Sequence, residues 1–180
     1  MITLKQIREK VAVLSFIGIL FIAACLLGSA IQAGAETMKW RFSTYIVSAE
    51  ALPVGDEEGH FLILNMRRGL GFFENGEVPT YTAWVTVDII KGKGSLQAYV
   101  LFTFEDGSSF AGRPQGSWEV GPKGLGTGKG TSEIFKGKGR FEGIKGNSSW
   151  SCTEVTPYSK ETKSDAYCDV SATYTLPPKK

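Results

Sequence analysis

From residue 36 onward the chain alternates. Met38, Trp40, Phe42, Thr44 and Ile46 take turns with Lys39, Arg41, Ser43 and Tyr45. Tyr81, Ala83, Val85, Val87 and Ile89 do so with Thr82, Trp84, Thr86 and Asp88, and Leu96, Ala98, Val100, Phe102 and Phe104 with Gln97, Tyr99, Leu101 and Thr103. A period of two marks a strand with one face on a core, because successive side chains leave a pleated backbone on opposite sides. No window after residue 36 carries a helical period long enough to compete. Turn residues divide the chain at short intervals. Asn75-Gly76 and Asp106-Gly107 predict two-residue hairpins in which both central residues take positive φ. The pattern predicts strands over 37–48, 60–68, 79–90, 94–105, 108–119, 124–136, 139–150 and 166–176. Regularly spaced short strands predict an all-β fold, a closed barrel or a sandwich. Closure also removes the exposed sheet edges that so β-rich a chain would otherwise carry.

Residues 1–35 read differently. Lys5, Arg8 and Lys10 precede an almost wholly apolar run from Val11 to Ile31, and Ala33-Gly34-Ala35 has the small-x-small pattern of a cleavage site. This is the layout of a secretory signal peptide, with cleavage expected before Glu36 and a single domain over 36–180. Export to the periplasm or the medium is expected. Two rival readings stand. The apolar run over 11–31 exceeds a usual signal core and is long enough to anchor the chain in a bilayer uncleaved. Ile22-Ala23-Ala24-Cys25 resembles a lipobox, although Leu26 and Leu27 keep the chain apolar where lipoproteins turn polar. A membrane is therefore expected as a partner only through the leader or an acylated Cys25.

The leader also explains the charge. The whole chain has 20 Lys and Arg against 18 Asp and Glu. The leader holds three of the bases and only Glu9 of the acids, so residues 36–180 are neutral. No clustered basic face points to nucleic acid. One His and three Cys exclude most self-contained metal sites. No metal and no cofactor is expected. Cys152 and Cys168 remain after cleavage, and in an oxidising compartment such a pair reads as a disulfide; in a reducing one it reads as two free thiols.

The 22 glycines invite a phosphate-loop reading that fails. Gly128-Lys129 is followed by Gly130, where a Walker loop needs Ser or Thr, and no helix follows for a dinucleotide fingerprint. Glycines inside strands mark bends and close backbone approach. Ile89-Ile90-Lys91-Gly92-Lys93-Gly94 is echoed by Ile134-Phe135-Lys136-Gly137-Lys138-Gly139, which predicts the same tight hairpin used twice.

The second of these segments, running through Arg140-Phe141-Glu142-Gly143-Ile144-Lys145-Gly146, resembles the strand–Gly-x-Gly–aromatic–x-Gly element of the allene oxide cyclase and dirigent barrel superfamily. Phe102-Thr103-Phe104-Glu105-Asp106-Gly107-Ser108, followed by Gly116, matches the hairpin that precedes it there. The resemblance covers residues 81–150, and the chain looks most like secreted bacterial members. It implies an eight-stranded antiparallel barrel with a cavity, often assembled as a homo-oligomer. No motif aligns the catalytic acids of those enzymes with positions here, and fold alone does not assign function.

Candidate site residues follow from chemistry. His60 is the single histidine, a general base or ligand contact near a barrel mouth, or a strand-start residue in solvent or bonded to the nearby acids of Asp56-Glu57-Glu58. Glu133 is an acid or base if it points inward, and a solvated carboxylate if not. Glu105 has the parity of the outer face. Arg113 at a rim would clamp a carboxylate. Tyr81, Trp84, Tyr99 and Trp118 offer apolar bodies with polar tips to a pocket, or plain packing. Asn147-Ser148-Ser149 is a glycosylation sequon, relevant only to a eukaryotic secretory route. Three functions follow from these readings: a non-catalytic binder of a small apolar ligand, an isomerase or cyclase holding a lipid-like or polyketide-like substrate folded, or a structural oligomer with a solid barrel.

Overall fold

The computed structural model describes residues 34–159 and 161–178. The leader residues on which the signal-peptide, anchor and Cys25 readings rest lie outside the described residues. Among the described residues no helix is long and apolar enough to cross a membrane.

Eight strands follow one another: β1 (Glu36–Pro53), β2 (His60–Phe73), β3 (Thr80–Ile90), β4 (Lys93–Thr103), β5 (Ser109–Val120), β6 (Gly126–Lys138), β7 (Lys145–Glu154) and β8 (Ala166–Thr175). Each pairs antiparallel with the next, and β8 returns to β1, closing an eight-stranded barrel without an edge. The fold is all-β, as the alternation predicts, and a barrel rather than a sandwich. It is also the barrel that the resemblance implies.

Three local features differ from the sequence reading. Asn75-Gly76 and Asp106-Gly107 sit in three-residue loops, with Phe73 N–H bonded to Glu77 O at 3.0 Å and Phe104 N–H to Ser108 O at 2.9 Å. Only the glycines there take positive φ, at 86° and 77°. The two-residue turn with both centres left-handed is Lys91-Gly92 instead, at φ 49° and 83°. The Lys-Gly-Lys-Gly echo does not make a second hairpin. Lys136 to Lys138 continue β6, a single 3-10 turn spans Gly139–Phe141, and the next strand starts only at Lys145. A bulge in β1 between Ile46 and Ser48 flips the strand's parity, so Ala49 and Ala51 take the inward side beyond it.

The interior is filled unevenly. At the end where β1 begins and β4 finishes, Trp40, Phe42, Phe73, Phe102, Phe104, Phe110 and Phe141 interlock. Phe102 and Phe110 stack at 5.1 Å, while Trp40 meets Phe102 edge-on at 5.6 Å. Both geometries suit the ring quadrupole. Along β5 and β6 the inward positions carry glycines because Trp150 lies across them. A Cβ on Gly116 or on Gly130 would stand 2.8 Å from the indole.

Cys152 of β7 and Cys168 of β8 face each other in register and form a disulfide. It closes the connection over 153–167. A loop of that length constrains the unfolded chain by about 3 kcal/mol in the chain-entropy model. We expect the double variant Cys152→Ser with Cys168→Ser to lose up to about that much stability in urea unfolding; an unchanged midpoint and slope would contradict this.

Candidate functional site

Above the aromatic floor the barrel is hollow. A cavity of about 430 Å³ is bounded below by Phe42, Tyr81 and Phe102, and its walls include Val85, Val87, Leu96, Ala98, Val100 and Val170. It opens between the exposed Ala49 and Ala51 of β1 and Trp118 and Val120 of β5. The cause is side-chain size. Many inward residues toward this end are Ala, Val and Ser, where the other end has mostly Phe and Trp.

One side of the cavity is polar, and β2 supplies most of it. Ile63, Asn65 and Arg67 alternate inward, while Leu62, Leu64 and Leu70 point out and are exposed. Arg67 reaches past β1 to the β7–β8 connection. Its Nη2 donates to Ser164 O at 2.6 Å, and its Nη1 lies 3.8 Å from Glu154 Oε1. Glu154 is held on both oxygens: Oε2 accepts from Gly126 N–H at 2.7 Å, and Oε1 accepts from the Ser164 hydroxyl. Lys163 and Ser164 are consecutive left-handed residues at φ 54° and 53°. This conformation is uncommon for residues with a Cβ and persists where the surroundings enforce it. Here the enforcing contacts are Arg67 on Ser164 O and Ile46 N–H on Lys163 O at 2.8 Å. Burial pushes the Arg67 guanidinium below its ordinary range, with Glu154 opposing the shift. It stays cationic, since arginine starts far above neutrality. Burial raises the Tyr81 phenol, with Arg67 opposing.

Four buried polar atoms on residues lining this cavity have no hydrogen-bond partner among the described residues: Trp40 Nε1, Thr44 Oγ1, Asn65 Oδ1 and Arg67 Nε.

The structure separates the residues singled out from the sequence. Tyr81 and Trp118 line the cavity. Trp84 and Tyr99 do not. They are cross-strand neighbours on the outer wall, 49% and 56% exposed. Their strands turn Ala83, Val85, Ala98 and Val100 inward, so strict alternation sends both aromatics out. Arg113 joins them outside. Its guanidinium sits 4.0 Å over the Phe135 ring and 5.6 Å over Tyr99, and 3.5 Å from Glu133. Neither a carboxylate clamp at the rim nor an inward Glu133 survives this placement. Glu105 lies exposed in a turn. His60 stands half-buried where β2 begins, with Nδ1 2.6 Å from Asp56 and Nε2 2.8 Å from Asp88. Both ring nitrogens are engaged, which is the reading of a strand-start residue tied to nearby acids.

The hydrogen bond to Asp88, then that to Asp56, raises the His60 pKa above its ordinary value. A raised folded-state pKa gives stability that is fully present below the unfolded value of about 6.5 and lost as pH climbs through the folded one. An NMR titration of the His60 ring is expected to show a midpoint above that of a free histidine, falling in Asp88→Asn; an unshifted midpoint would refute the bridge. For Arg67, Arg67→Met should destabilise by about 3 kcal/mol, because it strands Glu154 and the Ser164 carbonyl. The double variant with Glu154→Met should recover part of the loss, whereas additive losses would show that the two residues act independently.

Arg67, Asn65, Thr44 and Glu154 were not singled out by sequence reasoning. The usable signal was the parity of β2, where Ile63 and Phe73 share a face with Asn65 and Arg67.

No family model matches the chain, and no curated protein matches it. Solved structures similar to it include two dirigent proteins. The pterocarpan synthase dirigent protein PsPTS1 has a TM-score of 0.47 at 12% identity, over 83% of this chain and 100% of that one. The pterocarpan synthase dirigent protein GePTS1 has a TM-score of 0.48 at 13% identity, over 84% and 91%. At such identity a likeness concerns the fold and does not transfer a site.

Proposed function

We propose that this protein binds a small, largely apolar molecule inside its barrel without transforming it. The observation that supports this most is the hollow half of the barrel: about 430 Å³, apolar-walled, sealed by aromatics below and open above. Ligand pockets usually measure roughly 300–1,000 Å³ and combine apolar walls with a few convergent polar groups. A solid structural barrel would have no such space.

An isomerase or cyclase would need a free carboxylate or His60 aimed at its substrate. His60 is held between two aspartates, and both oxygens of Glu154 are occupied. Neither offers a free base, so the binding reading stands ahead. We place the protein in an oxidising compartment, outside the cytosol, as the Cys152–Cys168 disulfide favours.

Native mass spectrometry with small apolar probes tests the reading. One probe per barrel is expected, and Ala51→Trp, at an exposed position on the mouth, should block entry while leaving the fold intact. Equal occupancy in that variant, or no occupancy in the parent, would refute it.

A further inference from the structure

The polar side of the cavity narrows what the occupant must be. Thr44, Asn65 and Arg67 are 5%, 7% and 9% exposed and line the cavity from adjacent strands. Asn65 and Arg67 are two apart on one face of β2, and Arg67 pairs with Ile46, two residues from Thr44. Each carries one atom without a partner: Thr44 Oγ1, Asn65 Oδ1 and Arg67 Nε. Buried polar atoms in folded proteins are nearly always satisfied, and three neighbouring exceptions on one wall call for a partner.

Their chemistry is mixed. The Asn65 oxygen accepts, the Arg67 Nε–H donates, and the Thr44 hydroxyl does either. A hydroxyl group answers all three, because it donates once and accepts twice. A bare hydrocarbon answers none. Turning the Asn65 amide over puts an N–H donor there instead, and a hydroxyl still answers all three by accepting from Asn65 and Arg67 and donating to Thr44.

The charge on this wall is already balanced. Arg67 is the cation and Glu154 the anion, the latter fixed by Gly126 and Ser164. A ligand carboxylate would add a third, uncompensated charge close to Glu154 in an apolar enclosure, where desolvation is costly. Most of the rest of the cavity is hydrocarbon and aromatic ring, with Ser132 and Ser148 among its few other polar residues.

We propose that the occupant is an uncharged amphipathic molecule whose hydroxyl end is buried against Thr44, Asn65 and Arg67, with its apolar body over the aromatic floor. This rests on the binding reading above and names the ligand class. All three residues line the cavity, and the three atoms themselves are buried.

The test is displacement of a neutral fluorophore, N-phenylnaphthylamine, by decanol, decane and decanoate at neutral pH. Decanol should compete about fivefold to tenfold more strongly than either of the others, the worth of one net buried hydrogen bond. In Asn65→Leu this preference over decane should shrink toward unity while decane binding holds. Thr44→Val is the second variant should Asn65→Leu fail to fold, and it should shrink the preference in the same way. Decanoate binding as well as decanol, equal binding of decanol and decane, or an undiminished preference in the folded variant would overturn the inference and leave the binding reading standing. A parent protein that takes up no fluorophore and no competitor would overturn both.

Discussion

Closure of eight strands sets everything else. Each strand must give one face to the interior, and a barrel of this size encloses space for about one layer of side chains or one small ligand. What the interior becomes is decided by side-chain volume along the axis. Trp40, Phe73, Phe102, Phe104 and Phe110 spend the space at one end. Ala49, Ala51, Ala98 and the valines of β3 leave it free at the other. The aromatic floor therefore does two things: it packs one end of the barrel solid, and it gives the cavity a closed base.

The polar wall depends on the same closure. Arg67 is buried only because β2 must turn one face inward, and it is tolerable there only because the β7–β8 connection brings Ser164 and Glu154 to meet it. The connection in turn is held by the Cys152–Cys168 disulfide at its base and by Ile46 N–H on Lys163 O. Backbone strain at Lys163 and Ser164, the disulfide and the buried guanidinium form one arrangement at the cavity's edge. Removing Arg67 therefore disturbs both the loop conformation and the charge balance of the cavity wall.

The strands were legible in the sequence because alternation and turn chemistry are local. β3 and β4 showed their inward faces directly: Trp84 and Tyr99 already stood on the polar side of their alternations, and their expected place in a pocket conflicted with that parity. β2 was not legible in the same way. Its outer face carries Leu62, Leu64, Leu70 and Phe72, and its inner face Asn65 and Arg67, so reading the apolar side as the core inverts the strand. The bulge after Ile46 and the continuation of β6 through Lys136 to Lys138 depend on neighbouring strands, which periodicity cannot see. Glu154 and Ser164 acquire their role only across the barrel, from Arg67, which lies 87 and 97 positions earlier in the chain.

The account stands or falls on whether the hollow half of the barrel takes an apolar molecule out of water. Burial of apolar surface on binding lowers the heat capacity, and this marker holds whether binding is driven by enthalpy or by entropy. Calorimetric titration with a neutral apolar probe at several temperatures measures it directly. The account predicts saturable one-to-one binding with a negative heat-capacity change, lost when Ala98→Phe fills the interior. Binding with no heat-capacity change, or binding that survives the filled interior, would contradict it.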